Sequence, residues 1–372
     1  MGYVAVQGGV TAIENAEQLS RYMRLKGKSA PMDIKQITDQ LRFLVDRVMG
    51  EGSLYSPYHA ALAIKQSEGD PLEAAFYVRA YRSTLKRLAD TLPLDVSRSR
   101  VVRRISSAFK DIPGGQVLGA TPDYRQRMLD FDLGTETQAD MNDFLSDFQS
   151  KNAADRIAGS EGYRKVMDIL REQGLVEEAQ PSGETPEDDV TREAVNFPAH
   201  RSARLQMMCR SETGGILAMA YSSMRGYGSI HPTIAELKVA WVPVLIAHPY
   251  RKDETIHIGS IQMTEAEIIA QFGSEDRDEK PRFTFGYGAS FGSNEVKAIS
   301  MAVLDRTMKE PEADSPAKDQ EFVLMHTDGI ESSGFCSHFK LPHYITFQSE
   351  LNSLRMTRDI KDGLLQKQGW TA

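Results

Sequence analysis

Two histidines near the end of the chain stand at a spacing that could hold a metal ion. His338 and His343 are five residues apart, and Pro342 interrupts a regular strand between them, so a turn could bring both rings together. Two histidines are one or two ligands short of a zinc site. Cys336, His326 or a ligand from another chain could complete the site. The alternative is a pair of hydrogen-bonded histidines at an interface.

A basic stretch that ends in a glycine turn could bind phosphate groups. Residues 76–110 contain nine basic and two acidic residues, which is a local charge of +7. The turn Pro113-Gly114-Gly115 follows, and its glycines would let backbone amides approach an oxyanion beside arginine and lysine side chains. A loop between helices with a solvated basic face fits the same residues.

Glycines alternate with aromatic residues in two further segments, residues 224–232 and 283–292. The second segment runs from a predicted strand into a helix that begins near Ser293, and such a turn points backbone amides at an anion. Phe291 stands where a dinucleotide fingerprint has its third glycine, and no Gly-Lys-Ser/Thr follows, so neither a Rossmann motif nor a P-loop is present. Packing of glycine beside aromatic rings is the alternative.

The elements that must position these groups change character at about Phe197. Before it, cap residues and apolar stripes predict helices; after it, short strand-like runs are interspersed with helix signals. Helix starts are predicted at Thr11, Asp33, Ser56, Asp70, His231, Thr264 and Ser293. Strands are predicted at residues 3–6, 216–221, 239–246, 255–261 and 283–285.

The sequence therefore predicts an α+β protein in which a helical N-terminal domain precedes a mixed α/β C-terminal domain. We expect a mainly helical domain with a short N-terminal strand at 1–130, an acidic variable segment and linker at 131–196, and a mixed domain with the metal-binding segment at 197–372. Within residues 129–190, 16 acidic and five basic residues give a local charge of −11, which predicts a surface excursion.

Composition excludes several classes of protein. A chain of 372 residues with 41% hydrophobic and 26% charged residues fits a soluble globular protein. The net charge of −8 argues against nucleic-acid binding, although the basic stretch keeps an anionic ligand open. Two cysteines exclude a disulfide framework and favour the cytoplasm. The most apolar stretch, residues 239–247, is too short to cross a membrane.

These segments together resemble one family, PhnI, the I subunit of the carbon–phosphorus lyase core complex of bacterial phosphonate catabolism. The matching segments follow the family order from residue 3 to beyond residue 348, and the acidic residues 132–190 match poorly. The segments are residues 3–9, 45–49, 79–82, 110–116, 201–206, 225–232, 286–292 and 321–344.

The resemblance implies a catalytic subunit that uses MgATP and an alkylphosphonate. A phosphonate oxygen would displace adenine from the anomeric carbon and yield α-D-ribose 1-methylphosphonate 5-triphosphate; alone, the chain would act as a nucleosidase with water as nucleophile. The resemblance also implies assembly with G, H and J subunits, association with ABC-type K and L proteins, and zinc held by His338 and His343 at the J boundary, with Cys336 outside the pattern. A plain nucleosidase and a non-catalytic scaffold are the alternatives.

Residue type within or beside the matching segments suggests further roles, since displacement at an anomeric carbon needs anion binding, a proton for the leaving base and a carboxylate near the developing cation. The anion-binding candidates are Arg79, Arg82, Arg103, Arg104, Lys110, Gly114, Gly115, Arg201 and Arg204. The candidates for acid or electrostatic roles are Asp111, Asp123, His231 and Glu236, and those for purine stacking are Tyr227 and Tyr287.

Overall fold

A computed structural model of the chain describes residues 9–151, 163–176, 188–225, 231–272, 280–310 and 314–367. These residues form two compact units. Met32–Gly329 make up one unit, and the described residues of Met1–Pro31 and Ile330–Ala372 make up the other. The first unit contains every strand of the sheet, and the second contains the two C-terminal histidines.

Thirteen α-helices and four strands occur in the described ranges. The helices are α1 (Val10–Leu25), α2 (Ile34–Gln40), α3 (Arg42–Gly52), α4 (Pro57–Gln66), α5 (Pro71–Thr84), α6 (Gln138–Lys151), α7 (Val166–Glu172), α8 (Arg201–Arg210), α9 (Thr213–Met224), α10 (Glu295–Thr307), α11 (Gln320–His326), α12 (Gly329–His338) and α13 (Tyr344–Lys367). The strands are β1 (Arg100–Ile105), β2 (Thr233–Ala247), β3 (Thr255–Phe272) and β4 (Phe283–Phe291). The predicted α+β class is confirmed.

Helices α2 to α5 form a layer with its own apolar core. The side chains of Asp33, Ser56 and Asp70 accept backbone N–H groups at the starts of α2, α4 and α5, as the sequence predicts, and proline follows two of these caps. The core of this layer includes Ile37 and Val48, both fully buried.

The four strands form one antiparallel sheet in the order β1-β2-β3-β4. One face is apolar: Leu237, Ala266 and Ile268 pack against α10. Gly286 and Gly288 on β4 let α10 approach closely, because a Cβ at either position would overlap a backbone carbonyl oxygen of the helix. The opposite face carries charged side chains and is covered partly by α7.

Several predicted elements are wrong, and each error has a local cause. The apolar run 216–221 lies in helix α9, since a short apolar run has no period that separates a buried strand from a buried helix. Thr264 lies in β3 and His231 just before β2, so neither begins a helix. The Thr264 segment looks like a capping box, but its polar and apolar residues alternate as on a strand.

The predictions for the N-terminal elements, for the helix from Ser293 and for the acidic segment are confirmed only in part. Helix α1 begins at Val10, with Gly9 at its N-cap, so Thr11 is not the cap. The helix predicted from Ser293 is confirmed as α10. The strand predicted at residues 3–6 lies outside the described residues. Residues 163–176 are not a surface excursion: Val166, Met167 and Leu170 are buried against the sheet. The domain boundaries stay a prediction. Strand β1, from the predicted helical domain at 1–130, pairs with β2 from the predicted mixed domain at 197–372.

Candidate active site

Six ionisable side chains gather on the charged face of the sheet. The strand register sets Arg104 beside Lys238, Lys238 beside Glu265, and Glu236 beside Glu267. All five strand residues are buried, with at most 6% exposure. Lys165, from the segment that leads into α7, reaches over them. Because buried charges are costly unless they are paired, this arrangement needs close ion pairs.

Arg104 and Glu236 form a bidentate pair at one side of the cluster. Both Nε–Oε1 and Nη2–Oε2 distances are 2.9 Å. The same guanidinium donates to the carbonyl oxygens of Pro113 and Arg164 and lies 4.8 Å from the ring centroid of Tyr163. Arg104 therefore joins strand β1, the glycine turn and the segment before α7.

Glu265 and Glu267 form the other side of the cluster and share Lys165. The Nζ of Lys165 lies 2.8 Å from Oε1 of Glu265 and 3.1 Å from Oε1 of Glu267. Glu265 also accepts a hydrogen bond from Lys238 at 3.1 Å and from the hydroxyl of Tyr287 at 3.0 Å. Glu265 is thus far better supplied with donors than Glu267.

The unequal supply of donors separates the pKa values of the two carboxyl groups. Burial raises the pKa of Glu267 to about 7, since Lys165 compensates only in part and the charge of Glu265 adds to the rise. Burial acts on Glu265 in the same direction, but Lys165 and Lys238 outweigh it and lower its pKa. One carboxylate keeps its charge near neutral pH while the other exchanges a proton, which is the arrangement that acid–base catalysis uses.

Oε2 is the atom of Glu267 that would carry the proton. This atom is buried and has no hydrogen-bond partner within the part of the chain that the structure describes. A protonated Oε2 would be a donor with no acceptor among the described residues.

Of the residues predicted from the sequence, the structure brings four to this cluster. They are Arg104, Glu236, Tyr287 and Gly114. Gly114 has φ of 79°, and a Cβ there would overlap the ring of Tyr163, so the turn needs glycine for both reasons.

The arginine side chains of the basic stretch at residues 76–110 lie in separate places and do not form one patch. Arg103 points to the opposite face from Arg104, because successive strand residues alternate. There Arg103 pairs with Asp123 at 2.5 Å and with Glu295 at 2.8 Å. Nη1 of Arg79 donates to both carboxylate oxygens of Asp328, at 3.0 and 2.7 Å, and Nη2 donates to two backbone carbonyls.

The other predicted residues lie away from these contacts. Lys110, Asp111 and Gly115 are exposed in the loop after β1, and His231 is exposed just before β2. Arg82 on α5 is half-buried, and burial and the charge of Arg87 lower its pKa. Tyr227 lies outside the described residues. Arg201 and Arg204 lie on α8, at the β4 end of the sheet.

The two C-terminal histidines lie side by side in the second unit. Their ring centroids are 5.2 Å apart. Nδ1 of His338 donates to the carbonyl oxygen of Phe335 at 2.5 Å, and Nδ1 of His343 donates to that of Leu341 at 2.6 Å. Both Nε2 atoms are then acceptors, the tautomer that a metal-binding imidazole adopts. The described ranges contain no group of three or more His, Cys, Asp or Glu side chains that could hold a metal ion.

Sequence reasoning missed Lys165, Lys238, Glu265 and Glu267. A signal was present in the strands, where Glu236 and Lys238, and again Glu265 and Glu267, alternate with apolar residues. Paired charges at period two inside otherwise apolar strands predict one buried charged face. Lys165 gave no such signal, because it lies in the acidic segment that looked solvent-exposed.

The chain belongs to the PhnI family, which confirms the resemblance. A family model described as "Bacterial phosphonate metabolism protein (PhnI)" matches residues 2–361. The chain is 50% identical over 364 residues to the putative C-P lyase subunit protein HtxH of Stutzerimonas stutzeri, which covers 96% of both chains.

Two relatives carry the name alpha-D-ribose 1-methylphosphonate 5-triphosphate synthase subunit PhnI. The one from Escherichia coli (strain K12) is 42% identical over 358 residues, covering 95% of this chain and 97% of the relative. The one from Rhizobium meliloti (strain 1021) is 42% identical over 365 residues, covering 96% and 95%. None of the helices in the described ranges is both long and apolar enough to span a membrane.

Proposed function

We propose that this chain is the catalytic subunit of an α-D-ribose 1-methylphosphonate 5-triphosphate synthase. The family and the names of two relatives support the reaction. The observation that carries the catalytic role is the pair Glu265 and Glu267, whose pKa values lie on opposite sides of their ordinary value. A pair of this kind supplies both a persistent carboxylate and a proton donor.

In the proposed reaction the bond between C1′ of the ribose and N9 of adenine breaks. The bonding electrons stay with the purine, and Oε2 of Glu267 gives its proton to the departing base. An oxygen of the phosphonate forms the new bond to C1′ on the opposite side. General acid catalysis of this kind contributes about 10²- to 10⁴-fold to a rate.

Glu265 has the second part in this mechanism. Its negative charge is held by Lys165, Lys238 and the hydroxyl of Tyr287. A fixed carboxylate stabilises the positive charge that develops on the ribose ring during displacement. Magnesium arrives with the triphosphate as part of the substrate. Asp111, Asp123 and His231 remain proposed catalytic residues that act from loops outside the cluster.

The two C-terminal histidines suit zinc in tautomer and spacing. His338 and His343 would each bind through Nε2, and a partner subunit would supply the remaining ligands. Zinc held in this way would fix the C-terminal segment against that partner. Large apolar side chains exposed on α13, among them Ile345 at 88% and Tyr344 at 76%, support a covering partner for this unit. We propose the G, H and J subunits, with the K and L proteins, as the partners.

The test measures free adenine and ribosyl products by chromatography after incubation with MgATP. The chain alone is expected to release adenine with water as nucleophile. With G, H and J subunits and methylphosphonate, the product is expected to change to the ribosyl phosphonate. A chain that releases no adenine in either mixture would support a scaffold role. Adenine release that yields only the hydrolysis product, with or without methylphosphonate, would support a plain nucleosidase.

A further inference from the structure

The two carboxyl groups of the candidate active site are closed off from solvent. Glu265 and Glu267 are each 4% exposed. Their register partners, Lys238 and Glu236, line a neighbouring cleft whose empty volume is about 210 Å³ including its mouth. Sites for small organic ligands usually measure about 300–1,000 Å³. Part of the chain must therefore move before a nucleotide can reach Glu267.

One short segment covers this face of the sheet. Residues 163–165 lead into α7 without helical or strand structure of their own, and we call them the strap. The ring of Tyr163 forms one wall of the cleft. Lys165 reaches over both carboxyl groups, and its side chain is only 17% exposed. Lifting the strap would connect the cleft with Glu267.

Polar contacts that a polar ligand can replace hold the strap in place. The Nζ of Lys165 lies 2.8 and 3.1 Å from the two carboxyl groups. Nη2 of Arg104 donates to the carbonyl oxygen of Arg164 at 3.1 Å. At the end of the strap, the backbone N–H of Val166 donates to Oε2 of Glu236 at 3.3 Å. Helix α7 is anchored differently, by buried apolar side chains, so the strap can lift while α7 stays on the sheet.

The ring of Tyr163 fixes the strap to the glycine turn after β1. The guanidinium carbon of Arg104 lies 4.8 Å from the ring centroid. A Cβ at Gly114 would overlap the ring, so the turn forms a seat that only glycine leaves open. Gly115 has nearly the same φ, 78° against 79°, but its Cβ would point into open space. The two glycines therefore differ in their contact with Tyr163 and not in backbone conformation.

We propose that the strap is a gate over Glu267 that opens to admit the nucleotide, with the ring of Tyr163 as its latch. The identity of the entering molecule as a nucleotide rests on the function proposed above. Its triphosphate competes with Glu265 and Glu267 for the ammonium group of Lys165. The nucleotide thus binds the open strap better than the closed one, which is the condition for a ligand to shift such an equilibrium. Bound nucleotide holds the strap open, because the closed cleft is too small for it.

The experiment measures amide hydrogen exchange of residues 163–166 in the full chain and in the assembled complex. Tyr163→Leu removes the latch, and Tyr163→Phe keeps its ring. Gly114→Ala pushes a Cβ into the ring, while Gly115→Ala adds the same methyl group at the same φ without that contact. Tyr124→Leu replaces a tyrosine that is 77% exposed and controls for the loss of a tyrosine. Thermal unfolding and unchanged exchange in α10 confirm that each variant is folded.

Tyr163→Leu and Gly114→Ala are expected to speed exchange of the strap by about tenfold, the contribution of a partly buried cation–π contact to such an equilibrium. Tyr163→Phe, Gly115→Ala and Tyr124→Leu keep the original rate. Saturating MgATP, with binding verified by calorimetry, speeds exchange of the same amides in the original chain. Original exchange rates in both Tyr163→Leu and Gly114→Ala would overturn the proposal. So would strap exchange that is unchanged or slower when MgATP is bound.

The two proposals can fail separately. If strap exchange responds to Tyr163→Leu and to MgATP but the assembled complex releases no adenine, the gate stands and the proposed reaction is wrong. If adenine is released and Tyr163→Leu changes neither strap exchange nor the KM for MgATP, the proposed reaction stands and the strap is not its gate. A chain and a complex that bind no MgATP overturn both proposals.

Discussion

Replacing Glu267 by glutamine tests the proton donor most sharply. Glutamine keeps the shape of the side chain and removes the ionisable proton. If Oε2 of Glu267 protonates the leaving purine, adenine release by Glu267→Gln falls by about a hundredfold or more. The KM for MgATP is expected to change little, because Lys165 still holds the amide oxygen in the variant.

The pKa of Glu267 also sets a pH profile. With a pKa of about 7, the protonated fraction is about one half at pH 7, about a tenth at pH 8 and about a hundredth at pH 9. The rate of adenine release is expected to follow this fraction on the alkaline side. In Glu267→Gln that alkaline fall disappears, which loss of packing alone would not produce.

The assay is initial adenine release from saturating MgATP between pH 6 and pH 9, with Glu254→Gln as a control. Glu254 is exposed in the turn between β2 and β3, so its variant keeps the original profile. The reasoning is refuted if Glu267→Gln keeps normal turnover, or if it is slow but retains the same alkaline fall.

The same ionisation has a consequence for stability. The folded pKa of about 7 lies above the ordinary value of 4.5, so the folded chain binds this proton more tightly than the unfolded chain. The contribution of Glu267 to the free energy of unfolding is therefore lost as pH rises from about 4.5 to 7, by about 3 kcal/mol. Denaturant unfolding of the original chain and Glu267→Gln at both pH values isolates this contribution.

Three further predictions concern the fold and the metal. Arg104→Met leaves Glu236 buried without its partner and lowers the free energy of unfolding by about 3–5 kcal/mol, whereas also replacing Glu236 by leucine restores most of the loss; urea unfolding distinguishes these outcomes. Gly288→Ala pushes a Cβ into the backbone of α10 and costs about 1–3 kcal/mol, while Gly363→Ala on the exposed side of α13 is neutral or slightly stabilising; melting temperatures compare them. His338→Ala is expected to lose zinc from the assembled complex, and elemental analysis measures the bound metal. Full metal occupancy in this variant would reject His338 as a ligand.

The sequence predicts the helical layer well, because its signals are local. Asp33, Ser56 and Asp70 each cap a helix through a side chain a few residues from the N–H groups it satisfies. The run at 216–221 fails for the opposite reason. Its helix is capped by Glu212, which accepts from two backbone N–H groups, and an apolar hexapeptide alone carries no such information.

The sequence predicts only part of the candidate site. Arg104 is a predicted residue, but only the strand register shows that its neighbour Arg103 faces away from it. Glu267 owes its raised pKa to burial and to the neighbouring charge of Glu265, both products of tertiary packing. Lys165 lies in a segment whose average charge is strongly negative, and an average cannot show that one cation turns inward.

The most direct test of the central claim follows the oxygen that forms the new bond to C1′. The assembled complex is incubated with MgATP and methylphosphonate in H₂¹⁸O, and the ribosyl products are analysed by mass spectrometry. We predict ribose 1-methylphosphonate 5-triphosphate without ¹⁸O, made by the original chain and lost in Glu267→Gln. Ribose 5-triphosphate carrying ¹⁸O as the sole product, or an unlabelled phosphonate product formed equally by Glu267→Gln, would contradict the account.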